Sequence, residues 1–475
     1  MMKWWGWGSV GKEYPVQDKP DLFPFMKKMC GIDESTLTPP IRREEILLAP
    51  PRLNEAFLKD LKTSFRADQY ASDDETRLLH TYGKSYRDLL RVRAGKIERS
   101  PDGVLYPENH QEVISLMKLA DQHGIPLVTF GGGSNIVGGV EVDPRLEGMA
   151  ITVDLQRMKN ILSFDPSSRS ATIEGGILGP ELEAKLNARG FSLGHFPDSF
   201  EFSTLGGWLA TRSAGMQSDR YGKIEDMVLS LKLVSPAGVL ETPLVPKAST
   251  GPDLNQVVVG LEGTLGVITQ ATFRLHPLPH GKRTLTILPR RIGEAQALLL
   301  ALQDANLSHA ALQLRCGASV APELDILLEG TEAGMEAQAA RIRSIARPAA
   351  VKEGSEAVWK TREEIAGQDA VSKFSVLPSQ IADAIAAIGR AGDGSWRAVA
   401  QTTGIGWASV KAPLEDVRAQ LEGEGGTLTV LHQPAGGTPI EAWGDAGDTL
   451  PLMREIKRRF DPHNTLNPGR FVGGI

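Results

Sequence analysis

Between about Ser100 and Leu275 the apolar positions switch repeatedly between two periods, and the switches outline alternating strands and helices. Gln111 to Gly124, QEVISLMKLADQHG, carries apolar residues at helical spacing and ends on glycine, which predicts a helix. Pro126 to Phe130 predicts a short strand running straight into a glycine loop. Ile151 to Leu155 and Ser170 to Glu174 read as strands, and Pro180 to Arg189 as a helix ended by Gly190. Met227 to Ser235 is apolar enough for a buried strand, while Val267 to Leu275 alternates as a half-buried one.

On either side of this stretch the pattern changes. Residues 1–95 mix charge with proline, and the Pro39-Pro40 and Pro50-Pro51 pairs predict an extended, wrapping arm between short helices. The segment PLPHGKR at 277–283 predicts a hinge. Beyond it, Gly293 to Asn306 and Glu332 to Ala346 read as amphipathic helices separated by a strand at Leu324 to Leu328. A last helix, Thr449 to Phe460, precedes an Asp461-Pro462 stop and the tail LNPGR. Composition shifts with the pattern, since all six tyrosines lie at or before Tyr221.

At 475 residues the chain is too long for one small core, and two or three domains are expected. A net charge of −6 gives no general attraction to nucleic acid or to an anionic membrane. No window approaches the ~20 apolar residues needed to cross a bilayer. The opening MMKWWGWGSVGKEYP has no apolar signal core, and its tryptophans are expected to pack against the protein's own surface. The closing Gly-Gly-Ile is not a peroxisomal address, so cytoplasmic placement is the expectation. Cys30 and Cys316 are too few for an iron–sulfur cluster or a secreted disulfide framework. Any iron–sulfur centre would sit on a partner chain. The nine histidines include no two-His helical pair and no HExxH, so no metal site is expected.

Three segments carry candidate chemistry. In the first, Thr129 and Phe130 lead into Gly131, Gly132, Gly133, Ser134 and Asn135, within GGGSNIVGG. Consecutive glycines after a strand can turn their N–H groups toward a pyrophosphate. The spacing is neither GxGxxG nor a Walker loop. The second, His195 to Asp226, packs Gly206, Gly207, Ala210, Thr211, Ser213, Ala214 and Gly215 among hydrogen-bonding residues. A backbone so short of side chains can lie flat against a planar ligand. The third is Glu262, Gly263, Thr264, Leu265, Gly266, Val267 and Ile268.

These segments, in this order, resemble the FAD-binding domain of the vanillyl-alcohol oxidase family. Over roughly the first 280 residues the likeness is to its alkyldihydroxyacetonephosphate synthases, and it includes MKWWGWG and TRLLHTYGKSYRDLLRVRAGKIERSPDGVLYP. Beyond that the chain looks more like the flavin subunit of glycolate oxidase and related 2-hydroxyacid dehydrogenases, ending in FDPHNTLNPGRFVGG. The resemblance implies an α+β protein with a p-cresol-methylhydroxylase (PCMH)-type, two-subdomain FAD-binding domain at 96–280. It implies a smaller α+β cap at 281–430 and a segment at 431–475 that returns to the FAD domain. The cofactor implied is FAD, held non-covalently. Asp198, Ser199, Glu201, Ser203 and Thr204, with Thr211, Arg212, Ser213 and Ala214, resemble the segments that hold its pyrophosphate and ring. Residues 262–268 resemble the segment near its adenine.

His195 matches a histidine before the same motif in the synthases, which implies a place at the flavin. Arg220 and Tyr221 lie in a loop that faces the site in this family, and Arg220 could pair a carboxylate or phosphate, or else a surface acid. Arg315 and Arg397 are cap candidates for binding an acid, each equally readable as an exposed strand arginine. His432 is a candidate base. The synthase reaction needs a C-terminal run of histidines and a cap tyrosine, and this chain has neither. The sequence therefore favours dehydrogenation of a small 2-hydroxyacid, glycolate- or lactate-like, by hydride transfer to flavin N5. An ether-lipid synthase-like reaction and a non-catalytic flavin subunit are the alternatives. Partners expected are a small-molecule substrate, an iron–sulfur or quinone-linked electron acceptor, and a second copy in a homodimer.

Overall fold

The computed structural model describes residues 2–11, 40–245, 251–361, 370–392, 394, 396–410, 414–432 and 447–475. Cys30, Pro39 and much of the expected arm lie outside the described residues.

Three sheets organise the molecule. Strands β1 (Tyr70–Ala71), β2 (Gly103–Leu105), β3 (Leu127–Phe130) and β4 (Ile151–Asp154) form the first, in the order β1-β2-β4-β3. Here β4 runs parallel to both β2 and β3. The helix joining β2 to β3 is His110–His123, one residue earlier than the pattern predicts. Asn109 caps its start by accepting from the Glu112 N–H, and Gly124 ends it at φ 63°, where a side chain would be strained. Its buried stripe of Val113, Leu116, Met117 and Ala120 packs on Leu127 and Ile151.

The second sheet is antiparallel: β5 (Ile161–Asp165), β6 (Ser170–Glu174), β8 (Val228–Ser235), β9 (Gly238–Glu241) and β10 (Val267–Arg274), ordered β5-β6-β10-β8-β9. Between them β7 (Phe191–Ser192) pairs with β11 (His276–Pro277).

The third sheet has eight antiparallel strands. They are β12 (Gly281–Leu288), β13 (His309–Gly317), β14 (Val320–Gly330), β15 (Ala350–Glu353), β16 (Ala370–Ser375), β17 (Trp396–Gln401), β18 (Ile405–Val410) and β19 (Thr427–His432). Their order is β15-β12-β14-β13-β17-β18-β16-β19. The segment read as a hinge is half strand, because Gly281 to Arg283 already pair with Leu328 to Gly330. One face of this cap sheet presents Leu285, Ile287, Leu312, Leu314, Ile326, Phe374, Ala408 and Leu428 to four helices, including Ile292–Asp304 and Ile381–Ala391. Each fully buried Leu or Ile there is worth roughly 1.5–3 kcal/mol. Strand alternation puts the polar set, including Thr286, Gln313, Arg315, Asp325 and Lys373, on the opposite face.

That polar face docks on the short helix Ser218–Tyr221. Asp219, buried and with its carboxyl pushed up by that burial, accepts from the Leu312 N–H at 2.9 Å and pairs with the Thr402 hydroxyl. The C-terminal helix Leu450–Phe460 is stapled to the first two sheets through Lys457, whose ammonium donates to Thr264 O at 2.8 Å and Leu466 O at 2.7 Å. Among the described residues no helix is long and apolar enough to cross a membrane.

Candidate functional site

A cavity of about 1340 Å³ lies between the glycine loop and the polar face of the cap sheet. It exceeds the ~300–1,000 Å³ usual for one small ligand, which suits a cofactor and a substrate sharing one space. One wall is nearly all backbone and small residues. Every residue from Thr129 to Asn135 lines it. So do Asp198, Ser199, Ser203, Thr204, Gly206, Gly207, Thr211, Arg212, Ser213 and Ala214, and with them Glu262, Gly263, Gly266, Val267 and Ile268. Glu201 is exposed and does not line the cavity. Thr264 is buried away from it, its hydroxyl donating to Leu261 O at 2.7 Å.

The glycines are there because two loops press together. A Cβ on Gly132 would stand 1.7 Å from Phe202 O, and one on Gly263 would stand 1.9 Å from Thr129 Oγ1. Asn135 fixes the loop's turn, its Oδ1 accepting from the N–H groups of Val137 at 3.0 Å and Gly139 at 2.8 Å. Its Nδ2 donates to Glu262 Oε2 at 2.9 Å. Burial raises the Glu262 carboxyl to about 7 against that bond. From the tail, Asn467 accepts from Thr129 N–H at 2.9 Å and donates to Gly139 O at 2.7 Å. The residues fit a flavin dinucleotide: a glycine cradle for its pyrophosphate, and the hydroxyls of Thr204, Thr211 and Ser213 for a ring edge that needs donors and acceptors. Glu225 lines the same cavity, and its buried Oε2 has no partner among the described residues.

The other wall comes from side chains. The cap contributes Trp359, Val371, Lys373, Ile405, Trp407 and Thr429. The N-terminal region contributes Trp7, Lys84, Tyr86 and Leu89. Trp4 packs with Ile46, Leu78 and Tyr82, as expected of an aromatic seated on the protein's own surface, while Trp7 faces Phe202 across 6.3 Å. Lys84 holds this turn by donating to Lys3 O at 2.8 Å, and burial lowers its ammonium to about 8.

Five residues expected to do chemistry stand elsewhere. His195 is buried behind Ser213, its Nε2 3.2 Å from the Ser213 hydroxyl and its ring edge-on to Trp208. Burial drives it down to about 3, so it is a poor proton acceptor. Arg220 donates to Glu329 O at 2.9 Å, and the Tyr221 hydroxyl donates to Glu329 Oε2 at 3.0 Å. Both clamp the cap to the flavin side; burial lifts the Tyr221 hydroxyl to about 12. Arg315 is paired with Glu323 and with Asp325, the latter at 3.0 Å and fully buried. Arg397 packs over Gly317 and does not line the cavity. The sixth, His432, ends β19, and its side chain lies outside the described residues.

Sequence reasoning missed Lys84, Tyr86, Lys373, Trp359 and Trp407. Among the described residues no group of His, Cys, Asp and Glu could hold a metal ion.

Residues 101–242 match the family described as FAD binding domain, and residues 442–471 match FAD linked oxidases, C-terminal domain. Over 301 residues the chain is 41% identical to alkyldihydroxyacetonephosphate synthase of Trypanosoma brucei brucei, covering 59% of this chain and 49% of that protein. The match thus spans about half that relative's length. The chain is 26% identical over 422 residues to glycolate oxidase subunit GlcD of Bacillus subtilis, covering 78% and 89%. A solved alkyldihydroxyacetonephosphate synthase aligns over 98% of both chains at 27% identity and a TM-score of 0.80. Substrate-bound p-cresol methylhydroxylase, at 15% identity and a TM-score of 0.65 over 89% of this chain and 98% of its own, shares the fold. With the glycine-walled cavity, these matches give the chain a PCMH-type FAD-binding fold, and its cofactor is FAD.

Proposed function

We propose that the chain dehydrogenates an organic acid of the 2-hydroxyacid kind, bound between the flavin wall and the cap. The observation that carries this reading is the shared cavity, in which a glycine-rich wall faces a cap wall bearing a cation and two indoles. FAD, when bound, supplies the acceptor for a substrate hydride. The chain's own residues bind the acid at the cap, exclude water with Trp359 and Trp407, and take the hydroxyl proton at a cavity group. Asp198 lines the cavity, and its carboxylate is able to receive it. The GlcD and synthase likenesses support this reaction and its rival comparably. Against a synthase-like exchange stands the absence of adjacent histidines and of any tyrosine after Tyr221.

The test is to add candidate substrates to the purified holoprotein without oxygen and follow the visible flavin band. Bleaching by a 2-hydroxyacid is the expected result. Bleaching by an acyl-dihydroxyacetone phosphate alone would give the synthase-like reading its place. A flavin that responds to neither would reject both in favour of a dependent, non-catalytic subunit.

A further inference from the structure

Among the described residues the cap brings one cation to the cavity wall, Lys373. We propose that Lys373, with Trp407 and Thr429, forms a recognition row for a substrate that joins an oxyanion to an apolar body. The inference rests on the reading of the cavity as a shared cofactor and substrate space.

Register makes the row. Lys373 of β16 lies directly opposite Trp407 of β18 and directly opposite Thr429 of β19, so the three share one face of the sheet. Their neighbours Phe374, Ala408 and Leu428 face the other way, into the cap core. All three row members line the cavity. The Lys373 ammonium stands 5.5 Å from the centre of the Trp407 ring, inside the ~6 Å reach of a cation–π contact. An ammonium held against an indole keeps a fixed position, and the Thr429 hydroxyl can donate to the same anion. Around the row Val371, Ile405 and Trp359 offer hydrocarbon and a second indole. An oxyanion seated at Lys373 would therefore project its remaining atoms along apolar surface. A two- or three-carbon acid would satisfy the charge and leave the indoles uncovered, so affinity is set to rise with apolar length.

Arg315 sits three strands from Lys373 in the same row, opposite Val399, which is itself opposite Trp407. Its guanidinium is neutralised by Glu323 and the buried Asp325.

The experiment is equilibrium titration of the holoprotein with lactate, 2-hydroxyoctanoate and octyl phosphate, read as perturbation of the visible flavin spectrum. An eight-carbon probe is expected to bind at least about tenfold more tightly than lactate, and the tighter of the two identifies carboxylate or phosphate as the natural anion. Lys373→Met should weaken both anions by about tenfold with unchanged FAD content, and Lys373→Arg should recover most of that loss. Trp407→Ala should abolish the preference for the longer chain. Lactate binding as tightly as 2-hydroxyoctanoate, or Lys373→Met binding like the parent, would overturn the row. Binding without reduction keeps the row and rejects the dehydrogenase; reduction whose affinity ignores Lys373 does the reverse.

Discussion

The two walls of the cavity are built on opposite principles. The flavin wall is backbone: glycines and small residues from three separate segments, held in register by Asn135, Glu262 and Asn467. The cap wall is side chains: Lys373 and the Trp407 indole carried by the sheet, and a second indole, Trp359, from the short 3-10 turn Glu356–Lys360. A backbone wall tolerates little added volume, because a Cβ on Gly131, Gly132 or Gly263 would run into a neighbouring segment. A side-chain wall can exchange one residue for another and change what it binds while the sheet persists. The cofactor is thus fixed by the part of the molecule that cannot vary freely, and the substrate by the part that can.

The largest expected effect follows from adding volume to the flavin wall. At Gly207 a Cβ would meet only the Thr204 hydroxyl, at 3.2 Å, so the backbone can accept a side chain while the cavity cannot. Gly207→Trp should fold and purify without flavin. The measurement is the ratio of visible to ultraviolet absorbance after saturation with FAD and desalting. A normal flavin content in that variant would remove the Thr204–Ala214 segment from the cofactor site.

The same contrast explains what is legible in the residues alone. Glycine runs and small-residue clusters are local in sequence and announce a close backbone approach, so 129–135, 198–214 and 262–268 stand out in the linear chain. The helix at His110–His123 and the strand at Ser170–Glu174 carry their periodicity within a few residues. The cap's recognition row has no such local signature. Lys373, Trp407 and Thr429 are distant in sequence and meet only through pairing register, which a one-residue slip would invert. Arg315 and Arg220 looked like anion binders because an arginine's partners are invisible in sequence. The structure supplies them as Asp325, Glu323 and Glu329. His195 failed for a related reason, since its position beside the motif was legible and its burial was not.

Arg315 sharpens the comparison from the cap side. If it is structural, its removal strands the fully buried Asp325, and Arg315→Met should destabilise by about 3–5 kcal/mol. The lower end is expected, because Thr286 and Gln313 still donate to that carboxylate, at 2.8 and 3.1 Å. Denaturant unfolding measures the loss, and titration of the surviving holoprotein with 2-hydroxyoctanoate should give near-parental affinity. Unchanged stability together with lost binding would return Arg315 to the cavity.

Glu262 tests the flavin wall through pH. Its carboxyl is held at about 7 in the folded protein, mainly by burial, against an ordinary value of 4.5. The folded state therefore keeps a proton that the unfolded state has released between those two values. Stability attributable to this group is complete below pH about 4.5, declines as pH rises through 7, and is gone above it. The full difference is on the order of 3 kcal/mol for a shift of this size. Glu262→Gln keeps an uncharged side chain of the same shape beside Asn135 and removes the titration. Urea unfolding of the apoprotein at pH 5.5 and pH 8 should show a parental stability that falls with pH and a variant stability that falls less, by most of that amount. Equal slopes for the two proteins would mean that Glu262 is already ionised and solvated at neutral pH. The backbone wall would then hold a fixed negative charge beside its glycine loop, which would oppose the pyrophosphate assigned to it.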